Sequence, residues 1–356
     1  HQCTGDIPTD RRTLIKSAAV LAAPAIVTNA RAQSVTTLRF HTFVPAMSTA
    51  YSRLITPWMA KIEQESGGRL KFQAFPSMQM GGAPAQLYDQ ARDGVVDVVW
   101  SLAGYTPGRF PRSEAFELPF FTYDAEGSSR AAWDYIANYA PDEFREVKLL
   151  ACHTHGLNIL HMKSKLVTKA SDMRGLKVRG STRKNTQILS AVGAIPVALP
   201  LSEVPNALSK GVIEGAIMPW DTVPAGKLDE LTKFHTEFPK GMQGFNNSIQ
   251  FLAMNKASYD SLPADLKKVI DQNSGADVSA MYGRGADVKD QVVRQATVAR
   301  GHTVHVMGKA EAEEFRRLIT NPIVEEWVKE MNAKGFDGAK LLAGGRELVE
   351  RYRPKA

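Results

Sequence analysis

Arg179 is the residue whose type and position most clearly suggest a chemical role for this chain. It ends a short strand-like run, residues 176–179, which a turn precedes and Gly180 closes. Ser181 and Thr182 follow as candidate N-caps of a helix. A strand-to-helix corner presents uncommitted backbone N–H groups, and a guanidinium beside it can bind a carboxylate through two parallel hydrogen bonds. The pattern predicts a binding site for an organic acid.

The elements that must position this corner alternate between strands and helices. An apolar stripe at helical spacing covers residues 51–62, between strand-like runs at 38–42 and 70–76. The alternation continues to about residue 245, and a strand-like run at 248–254 is expected to return to the first part of the chain. This order predicts an α/β protein of two lobes. The predicted parts are lobe I (35–155 plus about 246–275), lobe II (156–245 plus about 276–340) and a C-terminal helix or tail (341–356).

Residues 1–32 have the features of an export signal. A weakly apolar run covers residues 17–27, and the small residues Ala30 and Ala32 suit cleavage after Ala32. The pair Arg11 and Arg12 resembles a twin-arginine signal, although the general secretory route fits the same pattern. No later segment reaches the roughly 18 consecutive apolar residues of a membrane span. These features predict a periplasmic protein.

Composition and motifs argue against several classes of function. The formal charge is +7, but the basic residues are scattered and form no nucleic-acid-binding motif. The sequence has no nucleophile elbow, phosphate-binding loop, dinucleotide fingerprint or zinc-protease motif, so neither an enzyme nor a cofactor is predicted. Cys152 lies in an apolar strand-like run and is expected to be buried without a chemical role.

Two alternatives to a binding protein remain open at this level. An exported oxidoreductase with an unrecognised site would show turnover or colour, whereas a colourless protein that binds acids without turnover would exclude it. A periplasmic sensor domain would pass its solute to a receptor, and genes for membrane permease subunits beside its own gene would disfavour it.

The histidines His153, His155 and His161 raise the question of a metal site. Alternate residues of a strand face the same side, so His153 and His155 could share an ion. The run has no spaced carboxylate or cysteine partner, which favours hydrogen-bonded histidines at a strand end or contacts with a solute hydroxyl. No metal is predicted.

Three motifs in order give the chain a family resemblance. Residues 172–179 read Asp-x-x-Gly-Leu-Lys-x-Arg, residues 200–204 read Pro-x-Ser-Glu-Val, and residues 207–215 read Ala-Leu-x-x-Gly-Val-x-Glu-Gly. Together with Glu-Leu-Pro-Phe-Phe at 117–121, this order resembles the DctP-like solute-binding proteins of tripartite ATP-independent periplasmic (TRAP) transporters. The likeness covers roughly residues 35–340.

The resemblance implies a fold, a function and partners. The fold would be the two-lobed type II periplasmic-binding-protein fold, with a cleft between the lobes and a long C-terminal helix that bridges them. The protein would capture a small organic acid without catalysis and deliver it to the small and large membrane subunits of a permease driven by an ion gradient. The resemblance leaves open whether the chain forms a homodimer through its long helix.

The resemblance also assigns roles to positions of this chain. Arg179 stands where the family binds the solute carboxylate, and Asn158 stands where many relatives have a second arginine. Ile217 and Met218 replace a polar Glu-Asn pair. The predicted pocket is therefore less polar than usual, which favours an aromatic or a 2-oxo or 2-hydroxy monocarboxylate over a C4-dicarboxylate. Aromatic residues at predicted strand ends agree with this expectation. The predicted ligand-binding residues are Arg179, Asn158, Met218, Phe43, Trp100, Trp220 and Phe245.

Overall fold

The computed structural model describes residues 34–354. The export signal predicted for residues 1–32 and its cleavage site after Ala32 lie outside the described residues. None of the helices within 34–354 has both the length and the apolar character required to cross a membrane. Cys152 is buried and is not part of a disulfide, as its apolar surroundings predict.

The strands of the described chain are short and form two separate sheets. In chain order they are β1 (Thr36–Thr42), β2 (Leu70–Phe75), β3 (Val98–Leu102), β4 (Val147–Thr154), β5 (Ile159–Met162), β6 (Lys177–Gly180), β7 (Ile195–Ala198), β8 (Gly215–Met218), β9 (Phe234–Glu237), β10 (Ile249–Asn255) and β11 (Thr303–Val306).

The first sheet has the order β2-β1-β3-β10-β4. Strands β1, β2 and β3 are parallel, whereas β10 is antiparallel to both of its neighbours. Every residue of β10 is buried, which explains its nearly continuous apolar sequence. The segment between β4 and β10 contains β5 to β9, which are most of the strands of the second sheet. The chain therefore leaves the first sheet after β4 and returns to it at β10.

The second sheet has the order β11-β9-β5-β8-β6-β7. Strand β6 is parallel to β7 and β8, with Arg179 opposite Val197 and Ala216. The carboxyl ends of β6 and β8 therefore lie at one edge of the sheet, where polar side chains from both strands can meet.

Helices cover the sheets and supply the links between strands. In chain order they are α1 (Thr56–Glu65), α2 (Leu87–Arg92), α3 (Ala125–Tyr139), α4 (Arg183–Ala191), α5 (Val204–Ser209), α6 (Leu228–Leu231), α7 (Lys256–Asp260), α8 (Ala264–Gln272), α9 (Ala276–Ala299), α10 (Lys309–Ala333) and α11 (Gly338–Arg351).

Helix α9 contacts both halves of the molecule. It packs against α3 and β4 on the side of the first sheet and against the turn Trp220–Thr222 that follows β8. Three glycines, Gly275, Gly283 and Gly285, lie at the start of α9 or within its first half, but only Gly275 breaks the helical pattern, with φ of +96°. A Cβ on Gly283 would lie 2.3 Å from the carbonyl oxygen of Ala125, so this glycine allows close packing against α3 instead. The predicted α/β fold with two lobes is confirmed.

Candidate functional site

The guanidinium of Arg179 lies in the interior, where an unpaired cation is costly. Arg179 is 3% exposed, and its Nε donates to the carbonyl oxygen of Leu199 at 3.0 Å. Its other polar contact is the hydroxyl of Tyr105, and burial lowers its pKa from the ordinary value. Within residues 34–354, no carboxylate forms an ion pair with it. Because a guanidinium stays protonated in proteins, an anionic ligand would neutralise this charge.

Tyr105 provides a second donor beside Arg179. Its hydroxyl oxygen accepts a hydrogen bond from the backbone N–H of Leu201 at 3.1 Å and lies beside the guanidinium of Arg179. Burial raises the pKa of Tyr105, so the hydroxyl keeps its proton. Since the protein donates to its oxygen, that proton remains available to a ligand.

Part of the backbone at the corner after β6 is hydrogen-bonded within the protein. The backbone N–H and the hydroxyl of Ser181 both donate to Oδ1 of Asn185, at 3.1 and 2.7 Å. Thr182 caps α4 by accepting from the N–H of Asn185. Arg179 and Tyr105 add side-chain donors beside this corner.

These donors face a cavity between residues of the two sheets. The cavity has a volume of ≈ 70 Å³, whereas a single water needs roughly 10–15 Å³. The space therefore suits a small molecule. Side chains on the cavity wall include Phe43, Val44, Thr49, Trp100, Leu102, Tyr105, His153, His155, Asn158, Arg179, Ser181, Leu201, Met218, Asp221, Thr222, Gln250 and Ala286.

Aromatic rings form one wall of the cavity. Phe43 stacks on Trp100, with ring centroids 5.5 Å apart and planes inclined by 23°. Tyr105 meets Phe43 edge-on at 5.1 Å. The indole N–H of Trp100 donates to Nε2 of His153 at 2.8 Å, which fixes the ring orientation. This wall offers a flat apolar surface to a ligand ring.

The histidines are held by hydrogen bonds to the protein. Nδ1 of His153 lies 3.2 Å from the carbonyl oxygen of Thr154, and burial lowers the pKa of His153 to about 3. His161 lies away from the cavity wall, between the carbonyl of Met218 at 3.1 Å and Nδ1 of His235 at 2.8 Å. No group of three metal-ligating side chains within 34–354 has the arrangement of a metal site. These contacts account for His153 and His161 as neutral, hydrogen-bonded groups.

The structure brings five of the predicted ligand-binding residues together on the cavity wall: Arg179, Asn158, Met218, Phe43 and Trp100. Nδ2 of Asn158 donates to Oδ1 of Asn246 at 2.8 Å. The amide orientation of Asn158 is therefore set by a neighbour that sequence reasoning did not identify.

Trp220 and Phe245, also predicted to bind the ligand, lie outside this cavity. The indole N–H of Trp220 donates to Glu237 at 2.7 Å, and its ring packs on His235 at 4.9 Å. Phe245 packs edge-on against Phe238, with centroids 4.8 Å apart. Both aromatic side chains are drawn into packing with β9 and its following loop, which turns them away from the cavity.

Two further polar residues line the cavity that the sequence analysis did not select. Gln250 lies in β10, opposite Leu102 and His153 on the neighbouring strands. A glutamine within an otherwise apolar strand could have marked Gln250 as a candidate site residue, because a buried amide requires hydrogen-bond partners. Asp221 follows β8 in the turn Trp220–Thr222, and its sequence context contains no comparable signal.

Comparison with known proteins agrees with this geometry. Residues 40–331 match the bacterial extracellular solute-binding proteins of family 7, DctP. A TRAP solute-binding protein from Rhodoferax ferrireducens T118, solved with copurified benzoate, is 47% identical with a TM-score of 0.88, covering 89% of this chain and 98% of that one. A marine metagenome TRAP protein specific for aromatic acid ligands, solved with 3-hydroxybenzoate, is 39% identical with a TM-score of 0.88, covering 90% and 100%.

A third solved structure extends the likeness. The TRAP periplasmic solute-binding protein of Bordetella bronchiseptica, with bound (R)- and (S)-mandelate, is 29% identical with a TM-score of 0.82, covering 89% of this chain and 99% of that one. The family match spans most of the described chain, including β6 and Arg179. This chain therefore belongs to family 7 of the bacterial extracellular solute-binding proteins, the substrate-binding components of TRAP transporters.

Proposed function

We propose that this protein captures an aromatic monocarboxylate in the cavity between its lobes. The observation that carries the proposal is the buried guanidinium of Arg179, which has no carboxylate partner within 34–354 and shares its cavity with stacked aromatic rings. The ligand carboxylate binds Arg179 and Tyr105 through charge-assisted hydrogen bonds. The ligand ring packs against Phe43 and Trp100.

The chemistry of the wall favours one carboxylate over two. Arg179 is the cation among the cavity-lining residues, and the pKa of His153 is lowered to about 3 by burial, so this ring stays neutral at neutral pH. A second carboxylate on the ligand would lack a positive partner and would approach Asp221. Met218 supplies an apolar surface where a polyhydroxylated acid would need hydrogen bonds.

The similar solved structures support this substrate class, since those proteins were solved with benzoate, 3-hydroxybenzoate and mandelate. As a TRAP component, the protein would act in the periplasm after removal of residues 1–32. It would pass its acid to the small and large membrane subunits of a permease. Ligand-driven closure of the lobes would distinguish the loaded from the empty protein for that permease.

A ligand screen tests the proposed substrate class. The purified protein is unfolded and refolded to remove any copurified acid, then heated with benzoate, 3-hydroxybenzoate, mandelate, succinate or glucuronate. We expect the aromatic acids to raise the unfolding temperature and the other two to leave it unchanged, because a ligand that binds only the folded state stabilises it. Stabilisation by succinate or glucuronate alone would refute the proposal.

Contacts between the lobes close the cavity. Thr182, at the start of α4, packs against Gly104, which follows β3: a Cβ on Gly104 would lie 2.4 Å from Cγ2 of Thr182. Nearby, Nε of Arg183 donates to Oε1 of Glu114 at 3.0 Å. Gly104 and Glu114 belong to the side of the first sheet, and Thr182 and Arg183 to the side of the second. Close approach of the lobes therefore depends on the absence of a side chain at Gly104.

Substitution Gly104→Ala is expected to weaken binding of the aromatic acid about tenfold. The added methyl group clashes with Thr182 only when the lobes are closed, and overpacking of this kind costs roughly 1–3 kcal/mol. Calorimetric titration measures the effect, and the unfolding temperature without ligand should change little. The double variant Gly104→Ala/Thr182→Ser removes Cγ2 and keeps the hydroxyl cap of α4, but Cβ remains at 2.7 Å, so it should recover only part of the affinity. An unchanged dissociation constant for Gly104→Ala would contradict closure as described.

A further inference from the structure

The cavity contains hydrogen-bond acceptors that the fold leaves without partners. Among the described residues, Oδ1 of Asp221 and Oε1 of Gln250 are buried and accept no hydrogen bond. Both residues line the cavity, and each is 6% exposed. Buried acceptors without partners destabilise a protein. Two of them at one cavity indicate a ligand that brings its own hydrogen-bond donor.

Asp221 is held in a defined position on the cavity wall. Its backbone N–H donates to Oδ1 of Asp290 at 2.7 Å, and its carbonyl oxygen accepts from the hydroxyl of Thr49 at 3.2 Å. No ion pair within residues 34–354 neutralises its carboxyl group. Burial, and then the neighbouring Asp287, raise the pKa of this carboxyl group. Asp221 is thus a fixed polar group without a protein partner for Oδ1.

His155 adds a further acceptor on the cavity wall. Its Nδ1 lies 2.5 Å from the carbonyl oxygen of Gly156 and must carry the hydrogen. Because burial lowers the pKa of His155 to about 4, the ring is neutral and Nε2 is an acceptor. Gly156 packs on the carboxyl group of Asp290, since a Cβ there would lie 1.8 Å from Oδ2. Asp290 also accepts from the N–H of Asp221, so one carboxyl group contacts the segments that carry His155 and Asp221.

The cavity wall therefore carries two chemically distinct kinds of polar group. Arg179 and Tyr105 supply donors for a carboxylate, whereas Asp221 and Gln250 supply unpaired acceptors. Arg179 and Asp221 form no ion pair within the described chain, although both line the cavity, so a ligand can lie between them. Benzoate has no hydrogen-bond donor and would bury these acceptors unpaired. A ring hydroxyl has a donor for them.

We infer that the preferred solute is a hydroxy-substituted aromatic acid. Asp221 accepts a hydrogen bond from the ring hydroxyl of this acid and thereby distinguishes the hydroxylated acid from the unsubstituted one. This inference rests on the proposed function, because it requires the ligand carboxylate at Arg179. A site built to bind a hydroxyl rejects an analogue that lacks it, since its own polar groups then remain unpaired. A second ligand carboxylate would be buried here without a cation to pair with it, which is costly.

Calorimetric titration of the refolded full chain tests the inference. The probes are benzoate, 3-hydroxybenzoate, 4-hydroxybenzoate and 3-methoxybenzoate, which has an acceptor oxygen but no donor. We expect at least one hydroxybenzoate to bind about tenfold or more tightly than benzoate, and 3-methoxybenzoate to show no such gain. In Asp221→Ala the advantage of the hydroxybenzoate should fall below about twofold, because its acceptor is gone.

A second variant guards against a folding defect. If Asp221→Ala does not fold, Asp221→Leu keeps a similar side-chain size and removes both oxygens, so the hydroxyl advantage should again fall below about twofold. Gln250→Leu is the comparison for the other unpaired acceptor.

Three results would overturn the inference while leaving the proposed function intact. These are equal binding of benzoate and both hydroxybenzoates, an advantage that survives in the Asp221 variants, and an advantage lost only in Gln250→Leu. Failure of every aromatic acid to bind the unmodified protein would instead refute the proposed function.

Discussion

The variant Arg179→Ala is expected to bind its aromatic acid at least 30-fold more weakly than the unmodified protein. The cavity would still bury the ligand carboxylate, but the cation that neutralises it would be gone. Truncating one partner of a buried charge pair typically costs about 2–5 kcal/mol, and each 1.4 kcal/mol is about tenfold in affinity. Calorimetric titration with benzoate or 3-hydroxybenzoate measures the change.

Two further variants separate charge from geometry. Arg179→Lys keeps the charge but loses the two-pronged donor geometry, so we expect an intermediate loss of affinity. Arg174→Ala removes an exposed arginine from the turn before β6 and should leave binding as it is. An unchanged dissociation constant for Arg179→Ala would remove Arg179 from the binding site.

In the absence of ligand, the substitution Arg179→Ala should have little effect on stability. A buried guanidinium without a carboxylate partner destabilises the folded protein, and its main protein contacts are those with Leu199 and Tyr105. We therefore expect the unfolding temperature of ligand-free Arg179→Ala to be close to that of the parent. Such a result would show that Arg179 is retained for binding rather than for stability.

The variant Asn246→Leu is expected to lower the free energy of unfolding by about 3–5 kcal/mol. Oδ1 of Asn246 accepts from Nδ2 of Asn158 and from Nδ2 of Asn185, both at 2.8 Å. Its own Nδ2 donates to the carbonyl oxygen of Glu117 at 3.0 Å. Leucine would leave these buried groups unpaired, at roughly 1–3 kcal/mol each. Urea unfolding followed by tryptophan fluorescence measures the loss.

A matched control for this prediction is Asn206→Leu. Asn206 is an exposed residue of α5, where a surface substitution usually changes stability by no more than about 0.5 kcal/mol. If Asn246→Leu unfolded at the same urea concentration as the parent, the hydrogen bonds of the Asn246 side chain would not contribute to the stability of the protein. Because Asn158 lines the cavity, we also expect any folded Asn246→Leu protein to bind the acid more weakly.

The sequence was most informative where local geometry decides the structure. Residues 176–179 were expected to form a strand that ends at Arg179, and β6 covers Lys177–Gly180. Ser181 and Thr182 were the candidate N-caps of the next helix, and the hydroxyl of Thr182 accepts from the backbone N–H of Asn185. These features depend on backbone conformation and on neighbours only a few residues away, which a sequence pattern records directly.

The sequence was least informative about which side chains face the cavity. Trp220 and Phe245 were expected to line it, but contacts with Glu237 and Phe238 hold them elsewhere. In the opposite direction, Gln250 reaches the cavity because β10 pairs between β3 and β4, which places its side chain beside that of His153. Strand periodicity predicts an alternation of faces, but it does not specify which face meets the ligand.

By itself, the sequence determined the two-lobed α/β architecture, the family and the strand that presents Arg179, because these follow from local patterns and motif order. The tertiary structure alone decided that Arg179 is buried without a carboxylate partner and that Asp221 faces the same cavity. Both facts depend on contacts between segments far apart in the chain, such as the hydrogen bond from Asp221 to Asp290. Packing of that kind balances many side chains at once, so no single segment encodes it.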